Sequence, residues 1–66
     1  MRITFNGQTQ DIREAATIAQ LLTDLQLAPK LVAVEVNRDV VSRRLHDTHV
    51  LRPGDEVEVV TLVGGG

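Results

Sequence analysis

Only one stretch of this chain has the apolar spacing of a helix, and that limits its folds more than any other feature. Ile18, Leu21, Leu22 and Leu25 fall at i, i+3, i+4 and i+7. This spacing puts one apolar stripe on a helix of two to three turns. Thr17 stands at its head with Gln20 three residues on, the T-x-x-Q form of a capping box. Asp24 and Gln26 face water, and Pro29 marks the stop. A lone short helix must bury its stripe against another element, and the rest of the sequence supplies strands.

Met1-Arg2-Ile3-Thr4-Phe5 alternates apolar and polar residues, the period of a half-buried strand. Asn6-Gly7 follows, and both residues tolerate the positive φ of a type I′ hairpin turn. The return arm Gln8 to Ile12 is polar and reads as an edge strand with Ile12 as its buried residue. Leu31-Val32-Ala33-Val34-Glu35-Val36 is the most apolar stretch and lacks helical spacing, so it is expected as a central strand. Asn37-Arg38-Asp39 is a turn, and Val40-Val41 a short strand. Ser42 to His49 is irregular, with Leu45 as its expected anchor. Arg52-Pro53-Gly54-Asp55 has Pro and Gly where a tight turn wants them. Glu56-Val57-Glu58-Val59 alternates as the last strand, and Val60 to Val63 extend it. The order predicts an α+β roll, one main helix across a mixed sheet of four to five strands. A parallel pairing of the first and last strands at the sheet centre would complete it.

Sixty-six residues make one domain. A chain of this size buries only about 60% of the surface its unfolded form exposes. It has no cysteine, so disulfides and thiolate chemistry are excluded, and an aliphatic core has to hold it. The net charge of −2, with both signs mixed and Phe5 as the one aromatic residue, argues against nucleic-acid binding. No apolar run approaches the ~20 residues of a membrane span, and the opening residues carry no signal-peptide pattern. A cytoplasmic protein is expected, with no membrane partner.

The body of the chain offers no catalytic set, so the chain is expected not to be an enzyme. Ser42 has no G-x-S-x-G elbow around it. His46 and His49 share an i, i+3 spacing, but a metal site wants a third ligand and an oriented shell; both are expected at the surface. Glu56 and Glu58 share a strand face where like charges repel, and with Glu35 they read as a solvated sheet face. Gly54 belongs to its turn and not to a phosphate cradle. Arg43-Arg44, with Arg38 nearby, forms a small basic patch that could dock an acidic partner.

The end of the chain is different. Gly64-Gly65-Gly66 follow an aliphatic run, and glycine loses the most backbone freedom on ordering. Three glycines add nothing to a fold, but they can thread a channel that any Cβ would block. Extended, they span at most ~10 Å. Activated as an acyl adenylate, the terminal carboxylate could accept a sulfur nucleophile. With no cysteine, sulfur would have to ride on the terminal carbonyl as a thiocarboxylate. Leu62 and Val63, beside this tail, are candidates for docking a partner.

The opening ITFNG, the VAVEVN segment with its V-V and R-R-L stretches, LRPGDEVEVV and the glycine end resemble the ThiS sulfur-carrier family across the whole chain. That resemblance implies a ubiquitin-like β-grasp domain over residues 1–62 and a flexible glycine tail over 63–66. It implies that a ThiF-type adenylyltransferase uses ATP to adenylate Gly66, which then becomes the thiocarboxylate. Gly64 and Gly65 thread the partner's active site. The sulfur passes to a ThiG-type thiazole synthase for the thiazole ring of thiamin. On this resemblance the chain itself is expected to bind no cofactor or metal and to supply no catalytic residue. The third glycine, Gly64, departs from a minimal two-glycine end. The MoaD family, the small subunit of molybdopterin synthase, is similar in fold and chemistry; Thr61-Leu62-Val63 stands where that family typically has prolines. Ubiquitin-like protein modifiers share the same first step.

Overall fold

The computed structural model describes residues 1–62. Five strands and one α-helix follow the order β1 (Arg2–Phe5), β2 (Gln8–Asp11), α1 (Ile18–Asp24), β3 (Val32–Val36), β4 (Asp39–Val41) and β5 (Glu56–Thr61). Short 3-10 turns at Pro29–Leu31 and Arg43–Leu45 precede β3 and follow β4. The sheet order is β2-β1-β5-β3-β4. As expected, β1 and β5 pair in parallel, while β1–β2, β3–β4 and β3–β5 are antiparallel.

The β1–β5 pair lies at the sheet centre as expected, and β3, the VAVEV segment, is an interior strand between β5 and the short edge strand β4. Helix α1 covers only one face of the sheet. Val57 of β5 is fully buried beneath it, whereas Glu56, Glu58 and Val60 point to the open face. Along β3, Val32, Val34 and Val36 are buried and Ala33 and Glu35 half-buried. The core joins these valines to Ile3, Ile18, Leu21, Leu22, Leu51 and Val57.

The local signals fold as their chemistry dictates. Asn6 and Gly7 both take positive φ, 48° and 82°, as a type I′ turn requires. Thr17 accepts from the Gln20 N–H at 3.1 Å, and the Gln20 side chain accepts from the Thr17 N–H at 2.9 Å. At Arg52-Pro53-Gly54-Asp55, the Asp55 N–H donates to the Arg52 carbonyl at 3.1 Å, with Gly54 at φ 86°.

The helix stops earlier than Pro29. Gln26 takes φ 60°, and the Leu27 N–H donates to the Leu22 carbonyl at 2.8 Å, the signature of a Schellman cap. Pro29 instead opens the 3-10 turn that leads into β3.

Two asparagines bracket the middle strand. Asn6 donates to the Val59 carbonyl at 3.3 Å and accepts from the Val59 N–H at 2.8 Å. Its side chain thus continues the β1–β5 ladder past the point where β1 turns away. Asn37, in the β3–β4 turn, accepts from the Glu56 N–H at 3.0 Å and donates to Asp55 at 3.1 Å. Long-range polar contacts therefore fix the strand that leads toward the glycines at both of its flanks. No described helix is long and apolar enough to cross a membrane.

Candidate functional site

Strand β5 runs up the middle of the sheet and ends at Thr61. Leu62 follows, its N–H donating to the Leu31 carbonyl at 2.6 Å. The chain therefore leaves the sheet at a surface position. Leu62 is 56% exposed, and Leu31 and Val60 beside it are 54% and 57% exposed. Single exposed aliphatics such as Val50 and Leu45 are ordinary, but three grouped at one strand end mark a surface suited to contact. Val63 and Gly64, Gly65 and Gly66 lie outside the described residues, so of the expected docking pair only Leu62 is placed.

The remaining candidates do not assemble a reaction centre. Among the described residues, Ser42 makes no hydrogen bond to either histidine, and no three His, Asp or Glu side chains come together as metal ligands. Glu35 and Glu58 stand opposite each other across β3 and β5, on the open sheet face where both were expected. Glu56 lies on the same face and pairs with Arg38 at 3.7 Å.

His46 corrects the expectation of two surface histidines. It is 4% exposed, and its Nε2 lies 3.1 Å from the Val41 carbonyl. That geometry places the ring proton on Nε2 and leaves Nδ1 buried with no partner. The His46 carbonyl also accepts from the Ala19 N–H at 2.9 Å. The polar 42–49 segment is thus pinned under the sheet edge and onto the helix by His46, while Leu45, the expected anchor, stays 45% exposed. Pinning by an imidazole rather than a leucine leaves no trace in hydrophobic spacing, so no sequence signal could have found it.

The basic patch is also divided. Arg38 sits in the β3–β4 turn beside Glu56, whereas Arg43 follows the other end of β4 and lines clefts near Leu62 together with Lys30. Lys30 is a neighbour of the chain's exit that residue spacing did not suggest. Arg13 donates from its Nε to Asp24 at 2.9 Å. The Arg13 hydrogen bond holds the Asp24 carboxyl below the ordinary carboxylate range and raises the Arg13 guanidinium in turn. This exposed pair ties the segment before α1 to the end of the helix.

Comparison with known proteins bears on the same end of the chain. The ThiS family profile matches residues 3–66, running through the glycines. The chain is 42% identical over 66 residues to thiazole synthase of Magnetococcus marinus, an alignment covering all of this chain and 20% of that protein. It therefore spans a fifth of the length of the thiazole synthases it matches. It is 35% identical over 54 residues to the sulfur carrier protein ThiS of Bacillus subtilis, covering 82% of each. The crystal structure of ThiS from Geobacter metallireducens superposes with a TM-score of 0.88 at 33% identity, covering both chains completely. The five-stranded mixed sheet with one helix is therefore the ubiquitin-like β-grasp fold.

Proposed function

The chain belongs to the ThiS family, and on that premise we propose that it is a sulfur carrier of thiamin biosynthesis whose working group is the Gly66 carboxylate. The observation that carries this reading is the course of β5. The middle strand, bonded on both sides, delivers the chain to an exposed aliphatic surface immediately before the glycines. A partner that must pull a terminal carboxylate into its own active site gains a tail anchored in the sheet rather than at a fraying edge. Glycines at 64–66 present no Cβ to the walls of such a channel.

The chemistry runs in two balanced steps. The Gly66 carboxylate attacks the α-phosphorus of ATP bound to a ThiF-type adenylyltransferase, forming an acyl adenylate and releasing pyrophosphate. Sulfide, HS−, then attacks the acyl carbon, expels AMP and loses its proton, leaving a thiocarboxylate. The carrier contributes no acid, base or metal ligand to either step; it presents the acyl group and is consumed and regenerated as a co-substrate. A ThiG-type thiazole synthase then takes the sulfur. Support for that acceptor comes from the matches to proteins named thiazole synthase. The domain over residues 1–62 serves as the handle and residues 63–66 as the reacting arm.

The test is the intact mass of the 66-residue chain after incubation with the adenylyltransferase, ATP and a sulfur source. The expected result is a gain equal to the exchange of one oxygen for one sulfur, abolished when Gly66 is deleted or a residue is appended to it. An unchanged mass, with the enzyme proved active on a control carrier, refutes the reading.

A further inference from the structure

Strand β3 is not paired along its whole length on the side away from β5. Strand β4 covers only Val34 to Val36, after which the chain turns off at Ser42 into the 3-10 turn. The Asn37 N–H donates to the Glu56 carbonyl and the Leu62 N–H to the Leu31 carbonyl. Residues 31 and 37 therefore bond toward β5. Because N–H and C=O groups alternate sides along an antiparallel strand, those of Val32 point the other way. In the β3–β4 register Val32 falls opposite position 43, beyond the end of β4, and among the described residues it makes no backbone bond to a residue outside the strands.

That gap opens into two adjoining clefts. One is lined by Val32, Val40, Ser42 and Leu62, the other by Pro29 and Leu31, and both share Lys30 and Arg43. Val40 is 73% exposed. The ion pairs among the described residues use other cations, at the Met1 ammonium, Arg2, Arg13 and Arg38. In a chain of net charge −2, an apolar gap in the sheet with two cations on its walls favours an acidic occupant. A second copy of this chain fits poorly, since each copy would bring the same two cations to the contact.

We propose that this gap is a docking site for an extended segment of the protein that acts on Gly66. That segment would carry a carboxylate beside an apolar side chain. Its backbone extends the sheet at Val32, its apolar side chain rests on Leu31 and Leu62, and its carboxylate lies between Lys30 and Arg43. Unpaired strand edges accept peptides in this way, with main-chain bonds giving affinity and flanking side chains giving selectivity. The inference rests on the carrier reading above.

The test uses the intact 66-residue chain and its cognate ThiF-type adenylyltransferase. The Lys30→Glu/Arg43→Glu variant should bind at least tenfold more weakly and with a flatter salt dependence. A charge-matched variant at the exposed Arg2 and Arg52, Arg2→Glu/Arg52→Glu, should bind nearly as the parent does. Exchange of the Val32 amide should slow in the complex. If Lys30→Glu/Arg43→Glu fails to fold, Lys30→Gln/Arg43→Gln should give the same ordering of affinities.

Equal losses in the two charge-matched variants would reduce the effect to net charge and overturn the proposal. Unchanged Val32 exchange on binding would also overturn it. So would Val32 protection in the free chain that disappears when residues 63–66 are removed, because the occupant would then be the chain's own end. Sulfur transfer to Gly66 with unaltered affinity in the variants removes this inference alone. No complex with an active enzyme, and no mass gain, removes the carrier reading with it.

Discussion

Asn6 does two jobs, and replacing it three ways separates them. Its backbone takes φ 48° in the β1–β2 turn, and its side chain exchanges two hydrogen bonds with Val59 of the middle strand. Each exposed bond contributes about 0.5–1 kcal/mol net. Asn6→Gly keeps the turn geometry but loses both bonds and adds unfolded-state freedom of about 0.5–1 kcal/mol. The expected loss is about 1.5–3 kcal/mol. Asn6→Ala loses both bonds and adds the strain of a left-handed alanine, about 1–2 kcal/mol, for a loss of about 2–4 kcal/mol. Asn6→Asp keeps the acceptor for the Val59 N–H and the tolerance for positive φ, so it should lose about 1 kcal/mol. In a domain of this size 1 kcal/mol moves the melting temperature by about 4–8 °C. Urea titration and thermal melting followed by circular dichroism should give the order Asp, Gly, Ala, from least to most destabilised. An Asn6→Gly variant as stable as the parent would refute the claim that this side chain carries part of the β1–β5 ladder.

Two further predictions concern the helix. Gln26→Gly should stabilise the domain by about 0.5–1 kcal/mol, because glycine takes the left-handed cap at φ 60° without strain; chemical denaturation checks it, and a loss of stability would count against the Schellman reading. The carboxyl of Asp24 is held low by Arg13, so their pairing stabilises the fold above the unfolded Asp pKa of about 3.9 and is lost as pH falls through the depressed folded value. The stability gap between the parent and Asp24→Asn should be full near neutrality and shrink below about pH 4; a gap that stays constant or widens in acid would contradict the pairing.

What could be read from the sequence was whatever one or two residues decide by themselves. Asn6-Gly7, the Thr17–Gln20 box and Pro53-Gly54 each fix local backbone angles or close a local bond, so composition alone announces them. The glycines at 64–66 and the candidate chemistry they suggest were equally plain in the sequence. The central place of β5 follows from connectivity rather than from hydropathy, since a strand covered on one face keeps Glu56 and Glu58 on the other. The end of α1 is not legible in the sequence, because its left-handed cap falls on Gln26 where glycine usually stands. The burial of His46 is not legible either, because it depends on the Val41 carbonyl. The basic patch divides because strand β4 separates Arg38 from Arg43. Lys30 joins the second group only through the gap that β4 leaves beside β3.

The reach of the tail ties the fold to the proposed chemistry. In the carrier reading, four residues separate Leu62 from the reacting Gly66 carboxylate, and they span at most about 14 Å when extended. An enzyme acting on Gly66 must therefore bring its reaction centre within that distance of Leu62, whatever else it touches. The surface within such a radius includes Leu31, Val60 and the cleft walls at Lys30 and Arg43, which meet near Leu62. The carrier reading requires two partners in turn, one to activate the carboxylate and one to take the sulfur. Both must dock around the same strand end, so their binding should be mutually exclusive. Exclusive docking gives a carrier its direction, since the charged tail can be handed on only after the first enzyme has let go.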